Sequence, residues 1–255
     1  ILAWVSPIIA GFRMSYPAPS STRGGRVRVL DLDLVTLDLA KTLVKVARNA
    51  IEYYLSGGIR LYEIPRDVRD RFPELELYAP VFVTLEKVTV KEGVRGRMLR
   101  GCIGFIEPVF PLGVAVIESA VSSAFNDPRF PPLRSRELKE VVLTLTILGG
   151  RVEVRRLDDV TIGRDALYVE RGLHARLFSG ILLPEVPVEY CWDIETFANM
   201  TCNKAGLELR CWEKHGTKLY RIPGRTFKEL EPEGEIVEVD LVEEYRRTCK
   251  PSGKT

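Results

Sequence analysis

The chain has 255 residues, 45% of them hydrophobic and 28% charged, and 37 Lys plus Arg against 35 Asp plus Glu leave a formal net charge of +2. A chain of this length can bury roughly 70 to 75% of its unfolded surface, which excludes an intrinsically disordered protein. The balanced charge argues against a dedicated nucleic-acid binder, whose footprint is a strong basic excess, and the composition leads us to expect a globular cytoplasmic protein.

Residues 1–13 precede the first methionine, Met14, and read as an upstream extension or the remnant of a longer chain. Ile1–Phe12 is apolar but contains Pro7 and falls well short of the ~20 residues that span a bilayer, so neither a membrane helix nor a clear signal peptide is expected. Ser15–Gly25 is built from Pro, Ser, Gly and Arg, a composition that suits a poorly ordered arm, and residues 1–30 are read as an extension.

The first helix is predicted over Asp38–Leu55. Leu39, Leu43, Val46, Ala47, Ala50, Ile51 and Tyr54 recur at the spacing of one apolar face, and Gly57-Gly58 ends it. Val81, Val83 and Leu85 alternate as a strand, and Val88 and Val90 alternate in the opposite phase, which predicts a bulge near Glu86-Lys87. A second strand, Met98–Phe105, is its expected antiparallel partner. Pro111 opens a helix over Leu112–Phe125 that is apolar around most of its circumference, and it stops before Asp127-Pro128.

Val141, Leu143, Leu145 and Ile147 alternate with Thr144 and Thr146, the pattern of a half-buried strand, with Arg151–Arg156 expected as its hairpin partner after Gly149-Gly150. Further strands are predicted over Ala166–Glu170 and His174–Leu183, and a helix over Trp192–Ala205. The remainder reads as short strands, with an acidic tail over Glu229–Glu244. Together these elements predict an α+β fold: a mixed, largely antiparallel sheet with packed helices, in two lobes of one compact unit spanning residues 31–245, followed by a tail over 246–255.

The most unusual local sequence is Leu99-Arg100-Gly101-Cys102-Ile103-Gly104. Glycines inside a strand mark a bend or a close backbone approach, here read as room for a ligand at Gly101 and Gly104. In an extended strand Arg100 and Cys102 face the same way, roughly 6.5 to 7 Å apart, so that the guanidinium can favour a reactive thiolate. The alternative is a small buried cysteine packed between sheet and helix. A nucleotide-clamping loop of KH type is a poor match, because that loop joins two helices. Arg129, in Asp127-Pro128-Arg129-Phe130, either clamps an anionic ligand or pairs with Asp127. His174 and His215 are the two histidines, and a pair between Cys102 and His174 is the less favoured way to activate the thiol.

The chain has five cysteines and no Gln, a thermophile-like usage in which intracellular disulfides occur. Reduced, packed thiols are the default; a Cys202–Cys211 disulfide across the helix-to-loop turn is the second reading. Cys191, Cys202, Cys211 and His215 lack the paired spacing of zinc ribbons, and no cofactor motif is present, so neither a metal nor a cofactor is expected.

The hexapeptide, followed by Asp127-Pro128-Arg129-Phe130-Pro131-Pro132-Leu133, Ile181-Leu182-Leu183-Pro184-Glu185-Val186 and Trp192-Asp193, closely resembles the AMME chromosomal region protein family in an archaeal-type form. The ordered matches run from about Leu39 to Arg221. The resemblance implies a two-lobed α+β fold, an intracellular protein of no established reaction, a suspected regulatory role, and Memo-like or radical-SAM protein partners. It also favours Glu185 and Glu189 as site carboxylates. Asp165-Ala166-Leu167 departs from the family at a position where members commonly carry Gly, and the N-terminal arm lies outside it.

Two functions therefore stand open. One is a Cys-dependent enzyme or a redox or small-molecule site, with Cys102, Arg100, Glu185 and Glu189 catalytic and Gly101, Gly104 and Arg129 binding. The other is a non-catalytic regulatory binding module for a protein partner, with nucleic acid not favoured.

Overall fold

The structure, a computed structural model, describes residues 4–5, 28–58, 62–91, 93–172 and 178–249. Every ladder between its strands that is described below is antiparallel, and with the helices it makes an α+β protein. Two compact units are distinguished. The larger contains the described residues from Arg28 to Ile147 together with Phe227–Glu238; the smaller contains Leu148–Thr226, the described residues from Val239 on, and the two-residue strand β1 (Trp4–Val5).

The larger unit begins with residues 28–30. The sequence reading placed them in the arm, but they are tied to Tyr78 by backbone bonds from Leu30 N–H and to Arg28 C=O, both 2.9 Å. Helix α1 (Leu37–Leu55) starts where the Thr36 hydroxyl accepts the Leu39 N–H, a cap one turn before the apolar face takes over. A short helix, α2 (Arg66–Arg71), leads into strands β2 (Val81–Lys91) and β3 (Val94–Phe105), which pair with a register shift at Leu85/Glu86. The irregularity falls beside the expected place, but its extra residue is Arg100 of β3 and not one of the Glu86-Lys87 pair. Helix α3 (Leu112–Phe125) is followed by the single turn α4 (Ser135–Leu138) and by β4 (Val141–Leu148), which pairs with β2.

Leu39, Leu43, Ala47 and Ile51 of α1 meet Val116, Ala120 and Ala124 of α3 and the inward residues of β2 and β4 in one buried cluster. One expectation fails here: β4 is buried on both faces, Thr144 and Thr146 included. Alternation of Thr with aliphatic residues had suggested a wet face, but a threonine methyl and a hydroxyl can both be accommodated inside a sheet.

In the smaller unit, β5 (Val152–Glu153), β6 (Asp165–Arg171), β7 (Phe178–Leu182) and β8 (Thr217–Glu229) pair in the order β5-β8-β6-β7. The 151–156 segment is thus no hairpin partner of β4: Val152 pairs with Arg221 of β8. The first part of the strand expected over 174–183, His174 included, lies outside the described residues. Helix α5 (Glu185–Glu189) and helix α6 (Ile194–Lys204), whose first turn is capped by the Asp193 carboxylate accepting from Thr196 N–H at 2.7 Å, complete the middle of this unit.

The expected run of short strands with an acidic tail is also corrected. β8 is 13 residues long, its last three residues lie in the larger unit and pair with β9 (Ile236–Glu238), and Leu241–Cys249 forms helix α7. Its Leu241 and Tyr245 bury against Val188. Two disulfides, Cys191–Cys249 and Cys202–Cys211, both lie within the smaller unit. The second matches the alternative drawn from composition, and together they replace the default of reduced thiols at these four positions. No helix among the described residues is long and apolar enough to cross a membrane.

Candidate functional site

The hexapeptide forms the inner half of β3, where exposure falls to nothing: Cys102 is fully buried, Ile103 nearly so. Each glycine has a packing reason. A Cβ on Gly101 would run into the Ser123 carbonyl oxygen of α3, and one on Gly104 into the Val81 carbonyl oxygen and the Phe82 ring. The close approach expected at Gly101 and Gly104 is made, at both places, by a neighbouring carbonyl of the protein's own backbone. Ser123 fastens the contact, its hydroxyl accepting from Ile103 N–H at 2.7 Å and donating to Val83 C=O at 2.6 Å.

The bulge decides where Arg100 points. Leu85 pairs with Gly101 and Glu86 with Leu99, so Arg100 is the extra residue of β3, and an inserted residue breaks the alternation that would set its side chain beside Cys102. Its Nε and Nη2 donate to the two carboxylate oxygens of Glu137 at 3.1 and 3.3 Å, and its guanidinium lies 5.9 Å from the centroid of the Phe130 ring. Glu137, held in addition by the Arg134 N–H at 3.0 Å, titrates below the ordinary glutamate range, first because of the Arg100 hydrogen bonds. The charge meant to prime the thiol is thus engaged by a carboxylate. Cys102 Sγ instead receives the Thr84 hydroxyl at 3.1 Å, across the β2–β3 ladder.

Asp127 is the hub that joins the hexapeptide to the loop after α3. It is 3% exposed. One carboxylate oxygen accepts the Cys102 N–H at 2.9 Å and an Arg129 Nη2 bond at 2.5 Å, and the other accepts Arg129 N and Nε at 3.1 and 2.9 Å. Burial pushes its pKa up, but these donors outweigh it, and the net shift is downward. Arg129 closes the circuit with a 3.3 Å bond from Nη2 to the Cys102 carbonyl, its guanidinium 5.4 Å from the Phe130 ring centroid. Of the two readings of Arg129, the pairing with Asp127 is the one observed.

The loop is fixed at both ends: Phe130 N–H bonds to Asp127 C=O at 3.1 Å, and Leu133 N–H to Ala124 C=O at 2.8 Å, with the Leu133 side chain buried. Between those anchors Pro128, Pro131 and Pro132 are exposed, as are Arg134, Arg136 and Lys139 just beyond, while Arg129 and Phe130 are half-buried. The geometry therefore unites Arg100, Gly101, Cys102, Gly104 and Arg129 in the larger unit.

Glu185, half-buried, and Glu189, exposed, stand one turn apart on α5 in the smaller unit. Trp192 stacks on Tyr190 with ring centroids 5.1 Å apart. Cys191, Cys202 and Cys211 have their sulfurs in disulfides, and His215 lies exposed in a turn. Sequence reasoning missed Ser123, Thr84 and Glu137. Only Glu137 left a local trace, three residues after Arg134 at capping spacing.

Comparison with known proteins gives the AMMECR1 family model over residues 44–227. A protein of Thermofilum pendens is 43% identical over 204 residues, which covers 77% of this chain and 92% of that one. Protein PH0010 of Pyrococcus horikoshii is 42% identical over 205 residues, covering 78% of this chain and 94% of its own. The crystal structure of the uncharacterized protein PH0010 from Pyrococcus horikoshii matches this fold with a TM-score of 0.72 at 39% identity, over 81% of this chain and 98% of that chain.

Proposed function

The chain belongs to the AMMECR1 family, and from that premise we propose that it works as a non-catalytic binding module for a protein partner, docking through the loop 127–134 of the larger unit. In this reading the hexapeptide is the buttress of that loop. One observation carries it: the Cys102 backbone gives its N–H to Asp127 and its carbonyl to Arg129 while its sulfur is sealed against Thr84. A nucleophile needs an accessible thiolate with a base or cation free to support it. Here the sulfur has no exposed surface, and the adjacent guanidinium is held by Glu137.

The loop has the properties of a recognition element. It presents an arginine, an aromatic ring and three prolines on a backbone pinned by a buried carboxylate. Arg and aromatic residues dominate binding hot spots, and a loop ordered in advance loses little entropy on docking. Exposed Arg134, Arg136 and Lys139 give the surrounding surface a positive sign, which suits an acidic face on the partner.

The Memo-like and radical-SAM proteins suggested by the family resemblance are the partners to titrate first. Phe130→Ala and Arg136→Glu are expected to weaken the complex tenfold or more without lowering the midpoint of thermal unfolding by more than a few degrees. Cys102→Ala is expected to leave affinity intact. Loss of binding on Cys102→Ala with Phe130→Ala silent would overturn the reading.

A further inference from the structure

The smaller unit contains a cleft of about 570 Å³ whose lining includes Glu153, Val154, Arg155 and Leu157 together with Glu195, Arg210, Trp212, Lys218 and Leu219, and also Arg156, which is paired with Asp158 at 2.8 Å. Its volume lies within the range of small-molecule sites. Val154, Leu157, Leu219 and the half-buried Trp212 supply an apolar floor. The rim is charged, and its charges divide into two groups.

The first group is committed. Arg210 bonds Glu195 through Nη1 at 2.7 Å and Glu213 through Nε and Nη2 at 3.1 and 2.5 Å. Its backbone is held left-handed at φ +56°, with its N–H bonded to the Asn199 side-chain oxygen at 2.8 Å and the neighbouring Cys211 tied to Cys202. A non-glycine residue keeps that conformation where its surroundings over-determine it. These charges of the cleft are held by bonds within the unit itself.

The second group is uncommitted. Glu153, Arg155 and Lys218 line the cleft and make no ion pair among the described residues, which leaves one negative and two positive charges over an apolar floor. Glu153 ends β5 and Arg155 stands two residues on, where the chain bends toward the turn at Leu157–Asp159. An acid and a base so close along one short segment suit a ligand that itself carries both signs. A pure anion would meet Glu153, Glu195 and Glu213 as well as the cations, and a pure cation would meet Arg155 and Lys218.

We propose that this cleft binds a small zwitterionic peptide: its free carboxylate is held by Arg155 and Lys218, its free ammonium by Glu153, and its apolar side chain lies on Trp212 and Leu157. The site is separate from the loop of the larger unit and does not depend on the role assigned to that loop.

The test is calorimetric titration of the full chain with phenylalanyl-leucine, its N-acetyl form, its C-terminal amide, and adenosine monophosphate as a purely anionic ring compound. Saturable one-to-one binding of the free dipeptide is expected, at least tenfold tighter than either blocked form or the nucleotide. Glu153→Gln should weaken the free dipeptide tenfold or more and leave the N-acetyl form unchanged. Arg155→Ala with Lys218→Ala should do the same for the free dipeptide while leaving the amide unchanged. All three side chains are exposed, so the variants retain the fold, checked by unchanged thermal unfolding. The proposal is overturned by no saturable dipeptide binding at millimolar concentration, by blocked forms binding as well as the free one, or by the nucleotide binding tighter.

Discussion

At the residue level, the Ser123 carbonyl oxygen leaves no room for a Cβ on Gly101. Gly101→Ala should therefore destabilise the larger unit by about 1–3 kcal/mol, the usual cost of forcing a methyl into a packed site, seen as a lower denaturant midpoint at unchanged slope. An unshifted midpoint would mean the glycine is there for something other than backbone proximity. Two glycines around a cysteine are equally the mark of a ligand approach and of tight backbone packing, and the choice between them depends on Ser123 and Val81, some twenty residues away in either direction, which is why the hexapeptide is conspicuous in the sequence without being explained by it. The direction of Arg100 was hidden for a related reason: the phase slip in β2 was legible, but the extra residue belongs to β3.

Asp127 gives a residue-scale pH dependence with a definite sign. Its folded pKa lies below its ordinary value, so its contribution is fully present above the unfolded value of about 3.9 and is lost as the pH falls through the lower folded value. Urea unfolding of the wild type should weaken below about pH 4. Asp127→Asn should be less stable at pH 7 and show a shallower loss over that acid range, and a variant whose acid profile matches the wild type would contradict the assignment.

At the scale of elements, α1 was readable from the helical period of its apolar face, and α3 from an apolar run bounded by Pro111 and Asp127-Pro128. The elements that were misread owe their place to distant partners. β8 contains Pro223 and Gly224, which interrupt a strand pattern, yet Glu229 at its end is fixed by Arg48 of α1 through bonds of 2.9 and 2.5 Å and accepts the Leu143 N–H at 2.8 Å. Arg48 also reaches the Leu138 and Val141 carbonyls. Removing one member of a buried ion pair leaves the other uncompensated, so Glu229→Ala should cost about 3–5 kcal/mol, far more than Glu231→Ala at the exposed Arg95 pair. Equal effects would show that the buried pair carries no such load.

α7 begins inside the stretch read as acidic over Glu229–Glu244, and its two buried residues, Leu241 and Tyr245, are too few to mark an apolar face. It is held by that small contact, by the Tyr245 hydroxyl donating to Trp192 C=O at 2.8 Å, and by the Cys191–Cys249 disulfide. The sequence separations are 58 for this disulfide and 9 for Cys202–Cys211, and loop-closure entropy assigns them about 4 and about 2.5 kcal/mol respectively. Replacing Cys191 and Cys249 by Ser should therefore lower thermal stability more than replacing Cys202 and Cys211, and should make the amides of α7 the first of the smaller unit to exchange. The reverse order would mean that α7 is held by its packing alone.

At the scale of the whole molecule, the α+β class and the antiparallel pairing followed from the spacing of strands and helices, and the family was legible in the ordered motifs. The distribution of those motifs was not: the hexapeptide and Arg129 fall in the larger unit, and Glu185 and Glu189 in the smaller, a division that chain order conceals because residues 227–238 return to the first unit after the second has been built. In the proposed reading Cys102 is a sealed strut under the loop 127–134. Residue-resolved alkylation of Cys102 by iodoacetamide, followed by mass spectrometry from pH 6 to 9 in native buffer and in denaturant, tests it most directly. We predict a native rate slower by several orders of magnitude that rises only as the larger unit unfolds; fast labelling of the folded protein at neutral pH would contradict the account and restore the thiol as a reactive centre.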